Sequence, residues 1–225
     1  MWVGDVNGDG KPDLVVANYF GANGGAVGVL LNNGGAKSAT STTLISSLNP
    51  SVYGQKVTWT ATVTTSVSVP ATGKVYFSWG YNIGTVTLNA SGVAALTRSN
   101  LNADPYPLKA VYVGDASNLG STSSILNQVI MQATTSATLT SSPNPSSSGQ
   151  AVTFTATITS PTVIPTGPVT FAVGKIVLGT AQLSGGKAKF TIPTLAVGST
   201  KVTGTYYGDS NIAKSSASVT QTVHQ

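Results

Sequence analysis

The sequence contains no cysteine, no glutamate and a single histidine, His224, which is the penultimate residue. The lack of cysteine excludes a disulfide scaffold and a thiol nucleophile. One histidine leaves very little for general acid–base catalysis or for zinc binding. We therefore expect that the protein is not an enzyme.

Long apolar runs and helix-favouring residues are also scarce in this chain of 225 residues. Since no stretch reaches about 18 consecutive apolar residues, no membrane span is predicted. Met1 is followed by Trp-Val-Gly-Asp instead of a basic and then apolar leader. We therefore expect no signal peptide in this chain and, if the protein is secreted, a longer gene product. Ser, Thr, Val, Ala and Gly dominate, which favours an all-β fold.

The basic residues are dispersed. The formal net charge is +5, and ten of the eleven basic residues are Lys, spaced singly along the chain. Nucleic-acid binding is not predicted, because there is no Arg cluster and no aromatic interleaving. Solvated lysines on strand faces and edges, which discourage aggregation, explain the charge better.

A unit of about 94 residues occurs twice, and such repeats decide architecture before local propensity does. The length allows two small domains. The matching segments come in the same order in both copies. They are Asn49-Pro50-Ser51 with Asn144-Pro145-Ser146, Thr72-Gly73 with Thr166-Gly167, and Tyr112-x-Gly114-Asp115 with Tyr206-x-Gly208-Asp209.

Within each unit apolar residues alternate with polar ones, mostly Thr, as expected for strands with one buried face. Turn signals recur every 8 to 12 residues or so, which predicts about seven strands per unit and an immunoglobulin-like β-sandwich. We place the first sandwich at residues 40–131 and the second at 134–225, joined through residues 128–136. The alternating apolar residues of one strand are Val57, Trp59, Ala61 and Val63, matched by Val152, Phe154, Ala156 and Ile158, and Trp59, matched by Phe154, is expected to be the large core residue.

The two units resemble the bacterial Ig-like domains of group 3. The resemblance is carried by Gly-Gln, Pro-x-Thr-Gly and Tyr-x-Gly-Asp in order, followed by a Ser-rich last strand at 121–124 and again at 215–218. It implies a stalk or spacer module of secreted and cell-surface bacterial proteins, sometimes adhesive. A cell-surface glycan or protein ligand is the partner that it implies.

Residues 1–36 belong to neither repeat and contain three Asp and one Lys, a net charge of −2. Oxygen side chains at alternate positions, followed by Gly and a further Asp, are typical of a Ca²⁺ loop. The predicted ligands are the side chains of Asp5, Asn7, Asp9 and Asp13 and the carbonyl of Lys11. Without a cation the three carboxylates repel one another, although an Asp- and Asn-rich turn without metal is the alternative.

The helix–loop–helix type of calcium site is excluded, because its last position is taken by Val16 within an apolar strand. The segment from Asp5 to Leu14 resembles instead the FG-GAP (VCBS) repeat, whose signature reads Asp-x-Asn-x-Asp-Gly-x-x-Asp-Leu. The resemblance implies a calcium-loop β-hairpin, part of one propeller blade. The metal is expected to be structural, because no His or general base accompanies it.

Two further patterns have alternative readings. Trp79 and Tyr81 suggest a sugar-stacking platform, but strand parity puts Trp79 on the core side with Phe77 and leaves Tyr81 at the rim. Ser184-Gly185-Gly186-Lys187 has the Ser-x-x-Lys spacing of some acyl-transfer enzymes, yet its glycines predict a hairpin turn instead of the helix that this chemistry needs.

The sequence as a whole predicts two tandem Ig-like sandwiches preceded by a calcium-loop β-hairpin, in a non-enzymatic protein of the bacterial cell surface or exterior. One alternative is a self-assembling filament subunit, in which the apolar strands 14–17 and 27–31 pair with a neighbouring molecule. Another is a carbohydrate-binding module.

Overall fold

The computed structural model describes residues 1–6, 11–18, 26–32, 37–66 and 70–225. Every regular element in these ranges is a β-strand, as the sequence predicts. Within the same ranges, no helix is long and apolar enough to cross a membrane. The strands form an N-terminal sheet and two sandwiches of two sheets each.

The N-terminal sheet is antiparallel and consists of β1 (Trp2–Gly4), β2 (Asp13–Asn18) and β3 (Ala26–Leu30), in that order across the sheet. The sequence predicts a hairpin here, and the structure adds a third strand. The reason is that the residues before the loop pair with β2, with Val3 opposite Leu14.

The first sandwich packs a three-stranded sheet against a six-stranded one. Its strands are β4 (Thr40–Ser46), β5 (Ser51–Val52), β6 (Val57–Thr65), β7 (Lys74–Ser78), β8 (Asn82–Thr87), β9 (Val93–Arg98), β10 (Pro105–Tyr112), β11 (Ser121–Thr122) and β12 (Leu126–Met131). One sheet has the order β4-β6-β9. The other has the order β5-β12-β10-β7-β8, with β11 also paired to β10.

The second sandwich repeats this topology. Its strands are β13 (Ser136–Ser142), β14 (Ser146–Ser147), β15 (Val152–Thr159), β16 (Pro168–Val173), β17 (Ile176–Gln182), β18 (Lys187–Ile192), β19 (Gly198–Tyr206) and β20 (Ser215–His224). The sheets have the orders β13-β15-β18 and β14-β20-β19-β16-β17. In both sandwiches the short second strand runs parallel to the last strand, with Ser51 opposite Ile130 and Ser146 opposite Val223.

Each sandwich has its own core, and the alternation in β6 and β15 is confirmed. The apolar residues of β6 are all buried, and the Thr residues between them lie on the other face. Phe154 in β15 is likewise fully buried. Ser184 and Lys187 form the predicted hairpin turn, in which each backbone N–H donates to the carbonyl of the other, at 2.9 and 3.1 Å.

Two details differ from the sequence prediction. In the described residues the sandwiches have nine and eight strands instead of about seven, because each contains a short second strand and the last strand of the first sandwich is split. The segment between the sandwiches is also shorter than residues 128–136. Residues 126–131 belong to β12, where Gln128 is fully buried, so only residues 132–135 connect the sandwiches.

Candidate functional site

Asp13, the last predicted calcium ligand, lies at the start of β2 and is fully buried. Its Oδ2 accepts a hydrogen bond from the backbone N–H of Val6 at 2.8 Å, and its Oδ1 accepts one from Asn32 at 2.6 Å. Val6 follows β1 and Asn32 follows β3, so one carboxylate ties the ends of all three strands together.

The chemistry of this position fits a calcium ion. From the described residues each oxygen of Asp13 accepts one backbone N–H, and carboxylate oxygens are the ligands that a hard cation such as Ca²⁺ prefers. Asp5 and Lys11 are exposed beside it, whereas Asn7 and Asp9 lie outside the described residues. Among the described residues no three His, Cys, Asp or Glu side chains come together. The five-residue ligand set stays a prediction.

Asp115, in the turn of the first Tyr-x-Gly-Asp motif, closes one end of the first sandwich. Its carboxylate accepts from the Tyr112 hydroxyl at 2.9 Å and from the backbone N–H and hydroxyl of Thr72 at 2.8 and 2.9 Å. The backbone N–H groups of Ser117 and Asn118 also donate to it, as does the Asn118 side chain. These hydrogen bonds give Asp115 a structural role in the motif.

These hydrogen bonds shift the pKa values of Asp115 and Tyr112. The hydrogen bonds from the Asn118 side chain, helped by those from Thr72 and Ser117, hold the pKa of Asp115 well below its ordinary value. Burial, together with the hydrogen bond to Asp115, raises the pKa of Tyr112 to about 12. In the second sandwich Asp209 accepts from the backbone N–H groups of Asn211 and Ile212.

Just before the first strand of each sandwich, the backbone of the chain hydrogen-bonds to the loop that follows the Tyr-x-Gly-Asp motif of that sandwich. Ahead of the second sandwich, Ala133 donates to the carbonyl of Asn211 at 2.8 Å and accepts from Ala213 at 2.9 Å. Ahead of the first, the N–H of Ser38 donates to a carbonyl of the corresponding loop. The connecting residue Gln132 also donates its side-chain amide to the carbonyl of Asp209 at 3.0 Å. The connection is therefore bonded along its length to the second sandwich.

The backbone carbonyl of Asn211 bonds to Ala133, and its side chain bonds to the first sandwich. Its Oδ1 accepts from the backbone N–H of Ala103 at 2.8 Å, and its Nδ2 donates to the Oδ1 of Asn102 at 3.3 Å. Asn102 and Ala103 lie in the loop between β9 and β10, about a hundred residues earlier in the chain. One side chain therefore joins the two sandwiches.

Tyr53 and Gly54, in the turn after β5, form the second contact of this interdomain joint. Tyr53 packs against the buried clusters of both sandwiches. Gly54 has φ +87°, and a Cβ there would lie 2.5 Å from Cγ1 of Val163 and 2.9 Å from the carbonyl oxygen of Thr162. The first sandwich thus approaches the second too closely for any side chain at this position.

Sequence reasoning missed these joint residues. Gly54 recurs as Gly149 in the second unit, and this recurrence suggested only a turn at both positions. In the structure a Cβ at Gly149 would have no neighbouring atom within 4 Å, unlike one at Gly54. Asn211 is replaced by Ser117 in the first unit, so the repeat pattern gave no reason to single it out. That mismatch between otherwise similar turns is the signal that could have found it.

The aromatic residues lie where strand parity places them. Trp79 packs partly buried against the first core, and Tyr81 is 65% exposed. The ring centroid of Trp79 is 5.8 Å from that of Tyr81 and 4.6 Å from that of Tyr106. The three rings form an aromatic rim at the end of the first sandwich that carries the β9–β10 loop.

Solved structures of other proteins show a loose likeness to this chain. Fibronectin(III)-like modules of Clostridium thermocellum CbhA are 19% identical, with a TM-score of 0.33, over 81% of this chain and 94% of that chain. The Yersinia pseudotuberculosis adhesin InvE is 19% identical, with a TM-score of 0.38, over 80% of this chain and 58% of that chain. The D0-D1 domain of intimin is 19% identical, with a TM-score of 0.29, over 80% of this chain and 97% of that chain.

Family models match three parts of the chain, and no curated protein matches it. The FG-GAP repeat model matches residues 3–30, the segment that holds the predicted metal loop. The bacterial Ig-like domain (group 3) model matches residues 42–131 and 139–224, which together make up more than half of the chain. Each of these two matches coincides with one sandwich, and the two sandwiches share one topology. This chain therefore belongs to the bacterial Ig-like domain (group 3) family.

Proposed function

We propose that the chain is a non-enzymatic part of a bacterial surface or extracellular protein, in which two Ig-like sandwiches act as a rigid spacer for adhesion. The observation that carries this proposal is the interdomain joint. A flexible tether needs a solvated linker, but here residues 132–135 bond to the second sandwich. A spacer that holds an adhesive surface away from a cell benefits from such stiffness.

The joint combines contacts of three kinds. Tyr53 contributes apolar packing, Asn211 contributes two hydrogen bonds across the boundary, and Gly54 allows close backbone approach. Tyr53 and Gly54 lie in the turn after β5, whereas Asn211 bonds to the loop between β9 and β10, so a hinge motion would have to break the contacts of both loops together. We therefore expect one preferred angle between the sandwiches.

A distance measurement between spin labels tests this proposal. The chain has no cysteine, so cysteines introduced at the exposed positions Lys109 and Lys201 label one strand of each sandwich specifically. A single narrow distance distribution is expected, and Asn211→Ala should broaden it. Ser117→Ala, at the matching position of the first sandwich, is the control and should leave it narrow. A broad distribution in the unmutated protein would contradict the spacer role.

A structural calcium ion on the N-terminal loop completes the proposal. The match of the FG-GAP repeat model to residues 3–30 supports it, together with the buried carboxylate of Asp13 between the strand ends. The ion would neutralise the three carboxylates and hold the loop from Asp5 to Asp13 against β2. Its role would be to order the sheet.

Self-association through the N-terminal strands is a second candidate, favoured by the surface of that sheet. Trp2 and Val29 lie in register with Val15 on one face, and Val3 and Leu30 lie in register with Leu14 on the other. All five residues of β3 are exposed. Both faces of the sheet are thus apolar, and pairing with a second copy would cover them.

Light scattering distinguishes this candidate from the spacer alone. We expect a concentration-dependent rise in mass for the whole chain, abolished when residues 1–36 are removed. A constant monomer mass, with and without Ca²⁺, would dispose of self-association and leave the spacer proposal standing.

A further inference from the structure

The aromatic rim of the first sandwich has the composition of a binding surface. Trp79 follows β7, Tyr81 lies in the turn before β8, and Tyr106 lies in β10, so three segments converge on it. Trp59 is fully buried behind Trp79, with ring centroids 6.1 Å apart. Trp59 therefore supports the rim from the core, while Tyr81 stays exposed.

The fold does not require these aromatic side chains. The second sandwich has Val173, Lys175 and Thr200 at the positions of Trp79, Tyr81 and Tyr106, and it forms the same topology. Exposed aromatic surface is costly in water unless a ligand covers it. Because the second sandwich has no aromatic residue at these three positions, the rim is a property of the first sandwich alone.

Polar groups border the rim. The Tyr106 hydroxyl donates to the carbonyl of Asn102 at 3.1 Å, and Asp104, two residues along, is exposed. Burial, followed by the charge of Asp104, raises the pKa of Tyr106, and Asp104 precedes this tyrosine by two residues in the chain. Tyr81 is 65% exposed and its ring lies at 82° to that of Trp79, so the rim offers one accessible aromatic ring near these polar groups. Such a surface matches a ligand with an apolar face and a polar edge.

We propose that the aromatic rim formed by Trp79, Tyr81 and Tyr106 binds a pyranose ring of a neutral glycan. The axial C–H groups of such a ring form an apolar face that packs on an aromatic ring, and its hydroxyls donate to carboxylate oxygens. The inference adds a ligand to the proposed spacer and does not depend on its stiffness.

A cationic ligand fits the rim less well. A quaternary ammonium group is held in an aromatic cage, with the rings spaced around it. Here the rings are in direct contact with one another, since the centroids of Trp79 and Tyr106 are 4.6 Å apart.

Tryptophan fluorescence and indole N–H resonances report binding directly. In a Trp2→Phe background the two remaining tryptophans are Trp59 and Trp79, both at the rim or behind it. The probes are cellohexaose and the hexamer of β-1,4-linked N-acetylglucosamine, with choline as the cationic comparison. We expect saturable binding of at least one hexamer and a shift of the Trp79 indole resonance.

Matched tyrosine variants identify the site. Tyr81→Ala should weaken binding by roughly tenfold, the loss expected for one aromatic contact. Tyr207→Ala removes a tyrosine of similar exposure, 68%, from the second sandwich and should leave affinity unchanged. Both side chains are exposed, so both variants should keep the thermal unfolding midpoint of the parent.

Three outcomes would overturn the inference. They are no saturable response to either hexamer, equal weakening by the two tyrosine variants, or saturable binding of choline in place of the hexamers. None of these bears on the spacer role, which the distance between the sandwiches tests separately.

Discussion

In the core of the first sandwich, the indole Nε1 of Trp59 donates a hydrogen bond to the side-chain Oε1 of Gln128 at 3.1 Å. The same oxygen accepts from Ser46 at 2.6 Å. In the second sandwich Phe154 stands in place of Trp59, and the buried Oε1 of Gln221 is left without a hydrogen-bond partner. The two repeats therefore differ in how well one buried amide is satisfied.

Trp59→Phe should destabilise the first sandwich by about 1 to 3 kcal/mol, because it removes a buried donor and leaves a small cavity. Denaturant unfolding of the whole chain measures this. Trp2→Phe is the control and should change the unfolding free energy little, since Trp2 is 58% exposed. Equal effects of the two substitutions would contradict the assigned role of the Trp59–Gln128 hydrogen bond.

Asp115 should make the first sandwich sensitive to acid. Because its pKa is lowered on folding, its contribution to stability is fully present above the unfolded-state pKa of about 4 and is lost as pH falls further, toward the folded-state pKa. Asp115→Asn should lower stability at pH 7 by on the order of 2 kcal/mol and flatten the dependence below about pH 4.

Asp209→Asn is the matched control for that measurement. Asp209 is exposed and accepts from two backbone N–H groups, so its replacement should have the smaller effect at pH 7. Thermal unfolding from pH 2 to pH 7 gives both profiles. Identical profiles for the two variants would show that the Asp115 cluster has no special role.

Calcium should protect the N-terminal segment from proteolysis. Removing one carboxylate by Asp9→Asn should weaken Ca²⁺ binding and abolish the protection, whereas Asp13→Asn would also disturb the hydrogen bonds to Val6 and Asn32. Asp104→Asn, an exposed acid in the first sandwich, is the control. Equal cleavage within residues 1–36 in Ca²⁺ and in chelator would contradict a calcium loop.

Alanine substitutions of two glycines at matching turns distinguish the cost of backbone strain from the loss of the interdomain contact. Gly54 and Gly149 have φ of +87° and +77°, so alanine at either position costs roughly 1 to 2 kcal/mol of backbone strain. Only at Gly54 would the new Cβ meet the other sandwich. Gly54→Ala should therefore raise interdomain motion, and Gly149→Ala should not. Small-angle scattering and thermal unfolding together measure the two effects.

The sandwiches could be predicted from sequence because their signals are local and repeated. The alternation of Val57, Trp59 and Ala61 depends only on the two-residue period of a strand, and it recurs one unit later. The contacts of the joint are of another kind. Asn211 and Ala103 are 108 residues apart, and no periodicity in sequence relates an amide side chain to a distant backbone N–H.

The N-terminal site shows the same division. The alternating oxygens from Asp5 to Asp13 indicate calcium from their spacing alone. That Asp13 also bonds to Asn32 depends on the pairing of β2 with β3, which brings residues 19 positions apart together. Sequence spacing therefore gave the candidate ligands but not the second role of the buried one.

The most direct test of the central claim is ¹⁵N relaxation of the whole chain, which measures rotational tumbling of each sandwich separately. We expect one common correlation time for residues 40–131 and 134–225, set by the combined size of the two sandwiches. Two shorter, independent correlation times would mean that the joint around Asn211 does not hold, and the rigid-spacer account would be wrong.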